Sequence, residues 1–121
     1  MIQKIAKIAA AVLREHRKQH TRSPHWPAVR RAHLEKHPTC AACGGKRLLQ
    51  VHHMRPFHLE PALELDARNL ITLCTWQLCH FELGHGDDWT AYNPKVIDHA
   101  HTALTLRDQA REGRAYELKD R

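Results

Sequence analysis

The chain has 121 residues, with 19 Lys+Arg, 13 Asp+Glu, 12 His and 4 Cys. That length favours one domain with a modest core, a size at which a bound metal often supplements hydrophobic burial. No apolar run approaches the roughly 20 residues of a membrane-spanning helix.

The charge is unevenly placed. Residues 1–60 hold 12 basic and 3 acidic side chains, and residues 61–121 hold 7 and 10. A basic half of this kind is the electrostatic footprint of a nucleic-acid binder; the plainer alternative is a solvated basic surface. The stretch Ile2 to Leu13 is broken by Lys4 and Lys7 and runs into Arg14-Glu15-His16-Arg17-Lys18, unlike a secretory signal. The expectation is a cytoplasmic protein whose cysteines ligate metal rather than form disulfides.

Residues 3 to about 20 are predicted helical, because Ile5, Ile8, Ala9, Val12 and His16 recur at helical spacing. Those residues should face a core. Lys4, Lys7, Arg14 and Lys18 fall on the other side, where they suit solvent or a phosphate backbone. Ser23-Pro24-His25-Trp26-Pro27 is a break, and a second helix should start at either proline and stop at His37-Pro38. Arg30 and Arg31 make it basic and are candidate phosphate contacts. His25, His33 and His37 are expected to cover surface.

Cys40-Ala41-Ala42-Cys43-Gly44-Gly45 is a Cys-x-x-Cys knuckle with a glycine turn, and Cys74 and Cys79 form a second, wider pair. Four thiolates from two such pairs suit a tetrahedral structural zinc. A redox pair would want a βαβ context, which is missing here. Leu48–His52 and Leu70–Cys74 have strand character, with a loop between them that holds one helical turn after Pro61. Thr75 to Leu83 should be a helix ended by Gly84. A last helix runs from about Pro94 to Arg111 with Ile97, Ala100 and Leu104 on its inner side, and residues 113–121 are expected to fray.

Four imidazoles and an amide cluster around the two strands: His52, His53, Asn69, His80 and His85. Imidazole is the commonest metal ligand and a base that works near neutral pH. Neighbours on a strand point to opposite faces, so one of His52 and His53 would bind metal while the other acts as a base. His80 and His85 are five apart, about 140° on an α-helix, too far to share one ion. A helix that ends at Gly84 would let His85 fold back; otherwise His85 is a loop residue. Asn69 can hydrogen-bond a ring nitrogen or a carbonyl across the hairpin, and Arg55 can reach a phosphate oxygen. Hydrolysis of a phosphodiester needs such a set: a Lewis acid, a neutral base and a positive approach surface.

The ordered set of Cys-x-x-Cys, Val51-His52-His53, Asn69-Leu70-Ile71-Thr72-Leu73-Cys74 and Cys79-His80 resembles the HNH endonucleases of the ββα-metal group, over about Trp26 to Pro94. The resemblance implies an α+β fold with a ββα-metal core, a four-cysteine zinc site and flanking helices. It implies a single domain over 1–121, with its core at about 38–92 and its flanks at about 3–36 and 94–111. It further implies His53 as general base, Asn69 as its orienting partner, and His52, His80 and His85 as ligands of a catalytic Mg²⁺, Mn²⁺, Ni²⁺ or Zn²⁺. Cys40, Cys43, Cys74 and Cys79 would hold structural Zn²⁺, and the partner would be double-stranded DNA. The first metal ligand in that family is often aspartate, and His52 here favours borderline metals over Mg²⁺. The gap after Cys79-His80 is also longer than usual. The competing expectations are a zinc-stabilised nucleic-acid-binding module without activity and, more weakly, a redox protein.

Overall fold

A computed structural model describes residues 2–119, with side chains described over 2–12 and 21–114. Its regular elements are helix α1 (Ile2–His20), helix α2 (Trp26–Lys36), strand β1 (Leu49–His53), strand β2 (Leu70–Cys74) and helix α3 (Val96–Lys119). Two 3₁₀ turns, Pro61–Leu63 and Ala67–Asn69, occupy the loop between the strands. The result is an α+β arrangement of helices around a two-stranded antiparallel sheet. Among the described residues, no helix is long and apolar enough to cross a membrane.

The strands pair Leu49 with Cys74, Val51 with Thr72 and His53 with Leu70. A two-stranded ribbon is marginal in water unless something packs on it. Here β2 is covered almost throughout, with Leu70, Thr72, Leu73 and Cys74 all buried. The Thr72 hydroxyl donates to the His37 carbonyl (2.9 Å), which ties β2 to the end of α2. The Ala41 N–H donates to the Thr72 carbonyl (2.9 Å), which docks the first cysteine knuckle against the same strand.

The buried apolar cluster is Cys40, Ala42, Leu73, Cys74, Cys79, Val96 and Ala100. Nearly half of it is cysteine, so the core is built around thiols rather than merely next to them. Cys40, Cys43, Cys74 and Cys79 bring their sulfurs within 4.8 Å of one another and could hold a metal ion. The knuckle turns at Gly44, whose φ of 71° suits glycine. The Gly45 and Gln77 N–H groups each donate to a thiol sulfur at 3.4 Å. In the wider second pair Leu78 supplies the turn at φ 61°, a conformation a branched side chain adopts only under local strain.

Several expectations need correction. The Ile5, Ile8 and Val12 face of α1 is exposed rather than packed in a core: Ile8 is 59% and Val12 63% exposed. The side chains of Leu13, Arg14, His16 and Lys18 lie outside the described set. Ile97 points outward and Val96 is buried in its place, whereas Ala100 is buried on the inner side of α3 as expected. Rather than fraying after Arg111, α3 continues to Lys119. His33 is buried, not superficial, and stacks on His37 with ring centroids 4.7 Å apart. The segment after β2 is not an α-helix: a turn over 75–78 leads into one π-helical turn, His80–Gly84.

Leu73 has no accessible surface, and Leu73→Ala should cost about 2–5 kcal/mol of stability. Urea denaturation of the two proteins measures this, and a loss below about 1 kcal/mol, on the order of a surface substitution, would show that the sheet–thiol cluster is not the core.

Candidate functional site

His52, His53, His58, His80 and His85 line one open cleft of about 420 Å³, together with Arg22, Phe57 and Trp89. Three of these imidazoles form a near-equilateral triangle. Ring centroids lie 5.0 Å apart for His52–His80, 4.9 Å for His52–His85 and 4.9 Å for His80–His85. Each ring offers a nitrogen within 4.8 Å of the other two.

The π turn brings this about. The His85 N–H donates to the His80 carbonyl five residues back (3.2 Å), so the two residues stand one turn apart where an α-helix would have splayed them. Gly84 completes the approach. A Cβ there would sit 3.2 Å from Nδ1 and Cε1 of His52 and from Cδ2 of His80. His52 enters from the buried face of β1 and is 4% exposed. Its Nδ1 lies 3.1 Å from His80 Nε2.

The third ring is held from behind. The Ala91 carbonyl lies 2.8 Å from His85 Nδ1, and a carbonyl can only accept, so Nδ1 carries the hydrogen and Nε2 keeps its lone pair. A backbone acceptor behind a ring is the usual way of orienting a metal-binding histidine. His52 Nε2 and His80 Nδ1 are buried without a partner. Trp89 packs against His80 and His85, with centroids 5.4 and 4.9 Å away.

Burial pushes the His52 pKa down to about 3, with the charges of His80, His85 and His53 adding to it. Burial, then His85, pushes His80 down to about 4. Both rings are therefore neutral at physiological pH, the form that donates a lone pair to a cation. The thiol cluster shows the complementary behaviour. Burial raises the Cys79 thiol far above its ordinary range, and the neighbouring Cys40 adds to this. Four thiolates so placed need a dication to coexist.

His53 stands apart from the triangle but in the same cleft. Its Nε2 lies 2.9 Å from the Glu64 carbonyl, which fixes the Nε2–H tautomer and leaves the Nδ1 lone pair free. Its ring stacks on Trp26 at 4.5 Å. Burial lowers its pKa, with Arg22 adding and the Glu64 backbone opposing. The orienting contact thus comes from Glu64 rather than from Asn69. The Asn69 side chain accepts from Arg55 N–H (2.8 Å) and donates to the carbonyls of Arg55 (3.1 Å) and Leu63 (3.2 Å). It clamps the loop whose next residue, Glu64, holds His53.

The predicted basic contacts lie elsewhere. Arg55 pairs with Glu60 and lines a second cleft with Asn69 and Arg68. Arg30 and Arg31 line a groove on α2, and Lys4 and Lys7 are exposed on α1. The cation in the imidazole cleft is Arg22, which contacts the buried Glu64 carboxylate at 3.4 Å and lies over the Phe57 ring at 4.5 Å. The same carboxylate accepts the Ser23 N–H at 2.9 Å. Arg22, Trp26 and Glu64 carry no local sequence signal for this site, since their contacts span up to 42 residues.

No protein-family model, curated protein or solved structure matches the chain.

Unfolded histidine titrates near 6.5 and folded His52 near 3, so below about pH 6.5 the unfolded chain binds more protons. The His52 contribution should be full above pH 6.5 and be lost as pH drops through about 3. The His52 contribution is at most about 1.4 kcal/mol per pH unit. Urea denaturation from about pH 7 to about pH 5 should show this slope, and His52→Leu should reduce it. An unchanged slope would mean that His52 is not buried as a neutral ring.

Proposed function

We propose that this protein is a metal-dependent endonuclease that hydrolyses DNA phosphodiester bonds, with a ββα-metal core of the HNH type. One observation supports it above all: three imidazoles converge on one point, beside a fourth whose tautomer is fixed and whose Nδ1 is free. Three nitrogen donors with an open cleft on the remaining side are the donor set of a catalytic rather than a structural metal site. The 3.1 Å approach of His52 Nδ1 to His80 Nε2 also suits a bound cation.

His52, His80 and His85 would hold the ion, with His85 bound through Nε2. A divalent ion held there would supply Lewis acidity to the scissile phosphate. All-imidazole ligation selects Zn²⁺, Ni²⁺ or Co²⁺ over Mg²⁺. His53 takes the proton of the attacking water on Nδ1. The Glu64 carbonyl keeps the ring turned for this and stabilises the imidazolium that results. Burial keeps His53 neutral before the reaction, so it is ready to accept. Arg22, on the wall of the same cleft, meets the phosphate, and Asn69 preserves the geometry by holding the loop at Arg55 and Leu63. Cys40, Cys43, Cys74 and Cys79 would bind a structural Zn²⁺ that joins the knuckle to β2. A binding module without activity is the competing reading, and nicking assays separate the two.

Purified protein given supercoiled plasmid and Mg²⁺, Mn²⁺, Ni²⁺ or Zn²⁺ should nick it with at least one ion. His53→Ala should lower the rate by about 10²–10⁴ while a gel shift shows DNA binding unchanged. Gel shift without nicking under every ion would leave only the binding module. Metal analysis should find about one tightly held zinc per chain, retained in His85→Ala and lost in Cys74→Ser. Two disulfides in place of zinc would reject the thiol site.

A further inference from the structure

We propose that a second surface, the groove between the first cysteine knuckle and the C-terminal part of α3, binds a nucleic-acid backbone. Lys46, Arg47, Trp76, Arg107, Arg111 and Arg114 line it, with no acidic side chain among its lining residues. The feature is invisible in the charge count, because the second half of the chain carries more acid than base. Folding creates it: Arg107, Arg111 and Arg114 recur at helical spacing on one face of α3, and the knuckle brings Lys46 and Arg47 opposite them. Asp108 and Glu112 share the helix but do not line the groove. Among the described residues, the ion pairs are Arg22–Glu64, Arg55–Glu60 and Arg68–Asp66, so these five cations are paired with no carboxylate.

The neighbouring thiol site explains only part of this charge. Four thiolates around a dication carry a net charge of about −2, which leaves a surplus of about three positive charges. Arg107 has a packing role as well. Its guanidinium lies so close to Gly44 that a Cβ there would meet Nη1 at 2.4 Å. Arg111 and Arg114 have no such contact and remain available to a ligand. Trp76 sets the choice of polyanion. It is 52% exposed, and the Arg47 guanidinium lies 3.9 Å over its ring. A flat aromatic ring inside a cationic groove is a platform for a nucleobase, which an acidic peptide lacks. The groove sits at the Leu49–Cys74 end of the hairpin, opposite the His53–Leu70 end that feeds the imidazole cleft. At about 3.3 Å per residue the two ends are roughly 13 Å apart, so one strand of nucleic acid is long enough to occupy both.

The proposal rests on the nuclease reading only for the choice of DNA as the polyanion, and its test involves no cleavage. Fluorescence anisotropy with a labelled duplex of about 20 base pairs and a single strand of about 20 nucleotides, without added divalent ion, gives affinity against salt. Arg111→Ala with Arg114→Ala should weaken binding about tenfold or more near 100 mM salt and lower the log–log salt slope by about 1.8, or 0.9 per phosphate contact. The lysine pair at the same positions should restore both, and its recovery would show that the alanine pair fails through charge and not through misfolding. Trp76→Ala should weaken the single strand by more than the duplex. Unchanged affinity and slope in the alanine pair would overturn the proposal, whether or not the protein cuts DNA. So would a lysine pair as weak as the alanine pair, or equal affinity for a polyglutamate of matching charge. Arginine-dependent binding in a protein that no ion makes active would sustain the groove and remove only the nuclease reading.

Discussion

A single backbone hydrogen bond, from His85 N–H to the His80 carbonyl, decides whether three imidazoles can meet. With α-helical winding the two side chains diverge; with one extra residue in the turn they stack. π turns are intrinsically unfavourable over any length, and they persist where surrounding contacts hold them in place. Here the holding contacts come from both ends. Cys79, at the start of the turn, is buried in the thiol cluster, and the Asn93 N–H donates to the Gly84 carbonyl at its finish. The thiol site and the imidazole site are therefore mechanically joined through two adjacent residues, Cys79 and His80. Damage to the first is transmitted to the second.

The loop between the strands serves the fourth imidazole in a comparable way. Asn69 grips it at Arg55 and Leu63, and Glu64 works from both of its ends. The Glu64 carbonyl orients His53, while its buried carboxylate receives the Ser23 N–H and Arg22 just before α2. One residue thus fixes the His53 tautomer, the entry of α2 and the arginine that lines the imidazole cleft. Desolvation of that carboxylate is offset by a charge-assisted contact and a backbone donor, the arrangement that makes a buried acid tolerable.

What could be read from the sequence was local. β2 lies on Leu70–Cys74 as its apolar run indicates, and α2 stops before Pro38 for the steric reason a proline imposes. The two cysteine pairs meet as their spacing suggests. Helical periodicity in α1 correctly indicated a helix but not a partner, since an apolar stripe does not say what covers it. At the start of α3 the buried residue is Val96 and not Ile97; the two are equally apolar, and only packing distinguishes them, while Ala100 is inside as its spacing indicates. The Arg22–Glu64 contact and the stacking of Trp26 on His53 depend on residues far apart in the chain. The π turn was legible only as a contradiction: two histidines at a spacing that an α-helix cannot reconcile with one ion.

The all-imidazole triangle has a further electrostatic meaning. Carboxylate ligands would cancel part of a bound cation's charge, whereas His52, His80 and His85 bring none of their own. A dication at their centre would present its whole valence to the cleft. The concave face would then be strongly electropositive. Its pull on an approaching polyanion would switch on with metal loading rather than being permanent.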